Sequence, residues 1–563
     1  MPRKSDTTQA AALERAGWGR FLVEVAAILS LFAAAGAWPV PDVNETAYLT
    51  KARHWADPSW CRGDFFLETP DAHGIFYMLL GPLAAAVPLE QAAWIGRGLG
   101  WLALAIGFHH AVAPLLAGPW ARICAAALFS LALRQTTAAG EWVIGGCEAK
   151  VFAWAVVLVA VGEFTRGRFA WSWLWAGAAT ALHPIVGGWA AMAVVASLAG
   201  ELLQRRPQRA ALSPRWPVVA GLVAVGGFLA ATAIVPALGL SAGADAATRA
   251  AAAKIHVVER LSHHLLPRTF ADGMLARHVL AAALWWLLSR LRADGSADRR
   301  AGGPAADAAW ARLQRFILAA LGIAACGHLI AVCEPFAPTT VHGLLRFYWF
   351  RLADVAVPFG LAATAAAVLA DDSRLRRLGA AAPHVARGAA MLLLAIDLVH
   401  ESRHWPLAGR SLEARSDTKV DAAAWRDACA WIADHTPSDA CVLTPRGAAS
   451  LTWRTGRREV VGWKNSPQDA KSLVAWRQRF ADCFSRDGSF ATLERSTAAL
   501  GAERMRVVAD RYGATHAIVP RDLAVAPLLG EKVYENQGYA ILKLSPAVSP
   551  HSTAPAASPE PPR

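Results

Sequence analysis

Charge is what this sequence is shortest of: 18% of its 563 residues are Asp, Glu, Lys or Arg, against about 25% in soluble domains. With 55% hydrophobic residues and a mean hydropathy of +0.30, the deficit excludes an ordinary soluble protein and points to a multi-pass membrane chain. Acids are the scarcer sign, 43 against 56 Lys and Arg, for a net charge of +13. That excess does not signal nucleic-acid binding. The arginines cluster in short loops between apolar runs, and no basic patch with interleaved aromatics stands outside them. The 8 cysteines form no CxxC pair, so no zinc or redox motif is visible. A phosphate-cradling glycine loop, a serine elbow and a dinucleotide glycine fingerprint are also missing.

What is present is a series of apolar runs, and 24 Trp of the kind that gathers at membrane–water interfaces. Residues 1–20 are polar and basic, which sets the N-terminus in the cytoplasm. Phe21–Trp38 reads as a retained first span rather than a cleaved signal. Further spans are expected at Ala92–Leu115, Arg122–Ala138, Ala149–Phe164, Phe169–Leu182, Pro184–Leu203, Trp216–Leu238, Gly273–Leu291, Leu313–Val332, Arg346–Leu369 and Val385–His400. That makes about eleven crossings. Gly74–Leu89 is too short to be one, and the basic loops at 205–215, 290–300 and 374–387 keep their cytoplasmic side only if it lies in the interface. Residues 293–308 read as a flexible cytoplasmic loop, and 239–272 as a second long outer loop.

The fold class that follows is mainly α: a transmembrane helical bundle over 21–405, with an outer loop at 39–90, then a small α/β extracytoplasmic domain over 406–545. In that domain the pattern predicts helices at Asp421–His435, from Ser466-Pro467 through Phe484, and at Glu503–Tyr512. Strands are expected at Ala440–Thr444, Glu459–Trp463, His516–Val519 and Tyr539–Lys543. Residues 546–563 are Pro/Ser/Ala-rich and read as a disordered tail. The chain is thus expected in the cytoplasmic (inner) membrane, with Cys61, Cys147, Cys429, Cys441 and Cys483 on the oxidising side and available to pair.

The richest stretch is 39–73, where Asp42, Asn44, Glu45, Lys51, Asp57, Asp64 and Asp71 follow directly on the first span. Asp42 and Glu45 suit a general base, or hard-oxygen ligands for magnesium or manganese. The plainer explanation is that Asp42 or Asn44 caps the amphipathic helix that follows. A second constellation, Gly140 to Lys150, carries Trp142, Gly145-Gly146, Glu148 and Lys150 at a span boundary. Ionisable groups there usually face a cavity or each other, so a local Glu148–Lys150 or Glu141–Lys150 ion pair is the competing reading. His183 breaks an apolar stretch at Pro184, where an interhelical hydrogen bond is the usual role. His256 and Arg260 lie on a basic amphipathic segment that would meet a phosphate or simply face water. Arg346 opens a span as an aromatic-belt anchor or as a phosphate-binding fork.

These residues and their order resemble the GT-C superfamily of integral membrane glycosyltransferases. Asp42 and Glu45 match the acid of the first outer loop, His73–Pro88 the interfacial helices after it, and Glu148 the second acid at a later span. Arg346 matches the basic residue that holds a lipid phosphate. The segment Asn44 to Cys61 also resembles the signature of a bacterial family of multi-pass membrane proteins with no assigned activity. The GT-C resemblance implies inverting transfer of a sugar from a polyprenyl phosphate to an acceptor on the outer face. In that scheme Asp42 or Glu45 is the base, Glu148 completes the catalytic set by positioning the acceptor or the base, and Asn44, Lys51, Trp142, Lys150, His183, His256, Arg260 and Arg346 bind substrate. The D-x-N-E motif departs from a plain acidic pair, which bears on any metal. The alternatives are a non-catalytic membrane scaffold with an outer partner-binding domain, and a transporter, which would carry polar groups at mid-membrane on broken helices.

Overall fold

The computed structural model describes residues 4–204, 216–294, 303–410, 412–524 and 530–544. The basic loop at 205–215, part of the loop at 293–308 and the tail at 546–563 lie outside them. The chain divides into two compact units. The first holds Met1–Pro58, Thr69–Ser416 and Pro467–Val474; the second holds Ser59–Glu68, Asp417–Ser466 and Ala475–Arg563.

Among its described residues, the regular structure of the first unit is all helical. Among the described residues, 6 helices are long and apolar enough to cross a membrane: Gly17–Gly36, Pro184–Leu203, Trp216–Gly239, Gly303–Val332, Ala353–Ala370 and Ala382–Ser402. Two of these bury almost nothing within the protein, 11% of the apolar window for Trp216–Gly239 and 6% for Ala382–Ser402. Leu238, Met391 and Leu392 stand exposed on them. Apolar helices with their backbone bonds satisfied internally and their side chains turned outward are what lipid selects. This is a multi-pass membrane protein.

The other expected spans form helices that do not meet that length and apolarity. Pro119–Gln135 and Ala149–Thr165 have 17 residues and Phe169–Leu182 has 14. Leu89–Val112 and Met274–Asp294 are long enough but more polar. The expected span at Arg346 begins later, at Ala353, because 346–352 forms turns. Conversely, the helix Gly303–Val332 starts inside the expected flexible loop. Gly74–Ala86 is a 13-residue helix with Pro82 inside it.

The core of this unit is aromatic: Phe32, Phe108, Phe129 and Phe359 pack edge to face or tilted, beside buried Trp154 and Trp285. Charges within it are paired. Glu24, 1% exposed, receives Arg20 and Arg122 at 2.8 Å and His109 at 2.9 Å. Glu201 is held by Arg312 at 3.1 Å and Arg315 at 3.2 Å. Burial without a partner would cost several kcal/mol per ion.

The second unit is an α/β fold with a sheet of β1 (Cys441–Leu443), β2 (Arg458–Glu459), β3 (His516–Pro520), β4 (Glu531–Glu535) and β5 (Tyr539–Lys543) in the order β2-β1-β3-β5-β4. β1 pairs parallel with β2 and β3; β5 runs antiparallel to β3 and β4. Trp425, Cys429 and Ile432 of the helix Ala422–His435 pack onto Val442, Ile518 and Ile541. Asp421 caps that helix, accepting from Ala424 N at 3.1 Å. Gly513 closes Ala502–Tyr512 in the left-handed region at φ 67°. β4 was not expected, since Glu531–Glu535 is exposed and polar at the sheet edge. β2 is shorter than the expected Glu459–Trp463, and the helix ending at Phe484 starts at Ala470, not at Pro467. None of the 8 cysteines is in a disulfide, so no pairing forms between those expected to be available.

Ser59–Glu68, though part of the first polar stretch, folds into this second unit. Asp64 anchors it: one oxygen accepts from Phe66 N and Leu67 N at 3.0 Å, the other from Glu459 N at 3.0 Å. Arg479 stacks 4.0 Å over Phe65. The Glu459 carboxyl, buried, accepts from Thr444 Oγ1 at 2.7 Å and Asn465 Nδ2 at 3.1 Å. Burial, assisted by the Asp64 charge, pushes its pKa up to about 7 against the hydrogen bonds from Thr444 and Asn465. Between pH about 4.5 and 7 the folded state therefore holds more protons than the unfolded state, and stability falls as pH rises through that window. Glu459→Gln is expected to abolish this fall and to stabilise the chain at pH 8 by on the order of 2–3 kcal/mol. Thermal unfolding at pH 5 and pH 8 measures it; an unchanged pH dependence contradicts the assignment.

Candidate functional site

The helix Glu45–Ala56 begins just after Asp42, and its first residue organises the site. Glu45 Oε2 accepts from Asp42 N at 2.7 Å, reaching back three residues as a capping-box acid does. The same carboxylate takes Arg97 through Nε at 2.7 Å and Nη2 at 2.6 Å, and Cys147 N at 2.7 Å. Arg97 projects from the apolar helix Leu89–Val112 and also donates to Trp38 O. Both members of the pair are fully buried. Glu45 thus receives four donors and has no capacity left for a proton or a cation. That geometry suits a structural clamp better than the expected base or metal ligand, and it leaves Asp42 and Glu45 a poor fit for a magnesium or manganese pair. Among the described residues no group of three or more His, Cys, Asp or Glu is placed to hold a metal.

Asp42 is different. Its Oδ1 accepts from Val43 N at 2.7 Å and lies 3.5 Å from Arg415 Nη1. Its Oδ2 is buried and has no hydrogen-bond partner. Arg415 stacks over Trp38 at 4.6 Å. Asn44 occupies the N-cap position of the helix without bonding to its backbone; Nδ2 instead donates to Glu148 Oε2 at 3.1 Å, across 104 residues.

The loop bearing Glu148 passes directly over these acids. A Cβ on Gly146 would lie 2.8 Å from Glu45 and 2.9 Å from Asp42, so only glycine fits there. Glu148 is fully buried; Trp142 Nε1 donates to it at 3.3 Å and Lys150 Nζ stands 3.7 Å away. Burial raises its pKa, and the Asp42 and Glu45 charges add to that, against Lys150 and the Asn44 bond. Lys150 sits 3.7 Å over the Trp142 ring and 3.8 Å from Glu141. Both ion pairs weighed from the sequence are therefore present.

The loop is tied down by Asp354, which accepts from Ala138 N at 2.6 Å, Ala139 N at 3.0 Å and Glu141 N at 3.2 Å. Glu141 is gripped by Arg351 at 2.9 Å. Burial alone would raise the Glu141 pKa, but Arg351 and Lys150 together hold it below the ordinary value. Tyr348 lies under Arg351, 3.9 Å from ring to guanidinium, with φ at +56°. His256 meets the Tyr348 ring at 5.8 Å. Burial, with Arg260, Arg346 and Arg351 nearby, pushes the His256 pKa down to about 3. His256 and Arg260 sit on a π-helical turn, Ile255–Arg260, a distortion frequent at functional sites. Arg346 keeps a buried Nε with no hydrogen-bond partner.

Most candidates thus converge in two linked groups: Asp42, Asn44, Trp142, Glu148 and Lys150, joined through Glu141 and Arg351 to His256, Arg260 and Arg346. Lys51 turns elsewhere, toward Thr69 and Asp71, and His183 packs on His73. Sequence reasoning missed Arg97 as the partner of Glu45, and Arg351 and Asp354 as partners of the 138–141 loop. Arg97 carried a signal, since an arginine inside an apolar run demands a buried counter-charge.

Residues 423–483 match a domain of unknown function, DUF6798. No curated protein matches the chain. Among solved structures, the chain is similar to the oligosaccharyltransferase AglB from Archaeoglobus fulgidus in complex with an inhibitory peptide and a dolichol-phosphate, at 12% identity and a TM-score of 0.40, covering 90% of this chain and 70% of that one. It is also similar to the arabinofuranosyltransferase AftD from Mycobacteria, at 14% identity and a TM-score of 0.43. There the overlap covers 93% of this chain and 41% of that one, less than half of AftD. At TM-scores below 0.5 these likenesses carry no argument about this chain.

Proposed function

We propose that the chain is an inverting membrane glycosyltransferase that moves a sugar from a polyprenyl-phosphate donor to an acceptor hydroxyl. The reaction takes place on the outer face of the cytoplasmic membrane, with the α/β domain on that side. One observation carries the reading: Asp42 Oδ2 is a buried carboxylate oxygen without a partner, in a cluster where Glu45, Glu141 and Glu148 all have theirs. Buried acceptors are normally satisfied, so an orphaned one marks the place of an absent donor.

In this scheme Asp42 takes the acceptor's hydroxyl proton as that oxygen attacks the anomeric carbon. The bond from that carbon to the phosphate oxygen breaks, and the lipid phosphate leaves with the electron pair. Glu148, whose protonation burial favours, and Asn44 orient the acceptor, with Trp142 and Lys150 alongside. Arg346, with Arg260 and His256, offsets the charge that grows on the leaving phosphate, the main electrostatic task of such a site. Glu45 and Arg97 hold the loop and take no part in proton transfer. No step passes through a metal.

Asp42→Asn is expected to lower turnover of a polyprenyl-phosphate-linked sugar by about 10²–10⁴-fold with an unchanged melting temperature. Wild-type turnover in the variant removes Asp42 as the base. Glu45→Ala strands Arg97 in the interior and should cost about 3–5 kcal/mol of stability, read as a lowered melting temperature. A Glu45→Ala chain of native stability that has lost only turnover would return Glu45 to the chemistry.

A further inference from the structure

The α/β unit carries an open cavity of about 650 Å³ that the scheme above does not use. It is lined by Arg446, Arg486 and the run 490–494, all within that unit. Its size falls inside the range of about 300–1,000 Å³ typical of small-molecule sites. Its place in the sheet is also one where ligands gather. Arg446 follows the carboxyl end of β1, and the two parallel neighbours of that strand, β2 and β3, lie on its opposite sides. In open α/β sheets the crevice beyond such a strand is the usual binding place.

The wall opposite the sheet is a loop bonded to itself. Buried Ser485, just past the helix Ala470–Phe484, donates through Oγ to Ser489 O at 2.7 Å, and Asp487 Oδ1 accepts from Ser489 N at 2.9 Å. Ala491 N then donates to Ser489 Oγ at 3.0 Å, and Glu494 N returns to Phe484 O at 2.7 Å. This closure seats Phe490, half-buried, against Phe480 at 5.6 Å and Trp476 at 6.3 Å.

Both guanidinium groups are fixed on one residue of that loop. Arg446 Nε donates to Glu494 O at 3.1 Å, and Arg486 Nε donates to the Glu494 carboxylate at 2.7 Å. Arg486 Nη2 also donates to Ala499 O at 2.9 Å. Arg446 Nη1 and Nη2 and Arg486 Nη1 have no partner among the described residues. Two positive charges therefore share one carboxylate, and the lining keeps a positive surplus. Anchoring each side chain through its inner nitrogen lowers the entropy that binding would otherwise cost.

That surplus disfavours a cation, and the planar guanidinium edge matches the paired oxygens of a carboxylate or phosphate. A bare inorganic anion would leave Phe490 and Leu493 without a contact. The lining thus calls for an anionic group and an apolar surface on one molecule, and exposed Thr492 adds a hydroxyl that both donates and accepts. A sugar ring bearing a carboxylate or phosphate has all of these: charge, hydroxyls and an apolar C–H face. We infer that this cavity binds an anionic sugar unit, a hexuronate or a sugar phosphate, belonging to the acceptor. Its assignment to the acceptor rests on the transferase reading; the binding of an anionic sugar does not.

The test titrates the full chain in lipid nanodiscs with D-glucuronate and D-glucose 6-phosphate. D-glucose, inorganic phosphate and N-acetyl-alanyl-alanine serve as comparisons. At least one anionic sugar should give saturation-transfer NMR signals from its ring protons and bind about tenfold more tightly than each comparison. Raising salt from about 50 to about 500 mM should weaken that binding several-fold. Arg446→Gln, at an exposed position, should keep the melting temperature and lower the affinity about tenfold, and Arg486→Gln should lower it alike. Asp42→Asn should keep the binding while losing turnover. A chain that binds the anionic sugar but turns over no lipid-linked sugar keeps the cavity's ligand and loses the transferase reading. One that turns over a lipid-linked sugar yet binds neither anionic sugar does the reverse. Equal binding of D-glucose, phosphate or the peptide, or an affinity unchanged in Arg446→Gln, overturns the inference. Should Arg446→Gln not fold, Arg486→Gln decides in the same way.

Discussion

The site depends on one buried ion pair, Glu45 with Arg97. An arginine on an apolar helix cannot remain in low dielectric without a counter-charge, and Glu45 supplies it bidentately. The same carboxylate also binds Asp42 N and Cys147 N. A single side chain therefore joins the first polar stretch, the helix Leu89–Val112 and the 140–148 loop. Asp42 and Glu148 come to one place because that carboxylate needs four donors and these segments provide them. Gly146 is the steric counterpart, since any side chain there would push the loop off the acids.

The clamp also separates roles that look equivalent in a D-x-N-E motif. Glu45 is neutralised and saturated, and Asp42 keeps an oxygen free. Lys150, Glu141 and Arg351 alternate in sign beyond Glu148, so charge is compensated locally along the cluster. Such alternation keeps several ionisable groups inside a largely apolar protein. Asp354 contributes through the backbone, fixing the 138–141 turn with three accepted hydrogen bonds.

Much of this was legible in the sequence, and the limits have physical causes. The apolar runs mark the helices, because the requirement for internally satisfied backbone leaves few other structures for them. Their ends shift where turns intervene, as at 346–352. Which runs form helices with the length and apolarity of a full span was less legible, since short helices such as Phe169–Leu182 look the same in composition. In the α/β unit, buried strands such as Cys441–Leu443 were readable and the polar edge strand Glu531–Glu535 was not, as nothing in its pattern separates it from a loop. The recruitment of Ser59–Glu68 into that unit had no local signal, because it rests on Asp64 meeting Glu459 N 395 residues away. The acids of the site were visible as charges out of place. Their division into a clamp and a free carboxylate depends on partners far along the chain, Arg97 and Cys147 above all.

The proposed function requires that carboxylates scattered between residues 42 and 148 serve a single site, with Asp42 Oδ2 as the buried oxygen that takes the acceptor's proton. A density map of the full chain in a lipid nanodisc, bound to a polyprenyl-phosphate-linked sugar, tests this most directly. The account predicts the sugar against Asp42 Oδ2, with Glu45 still locked to Arg97. Ligand density elsewhere, or Asp42 and Glu148 facing different pockets, would contradict it.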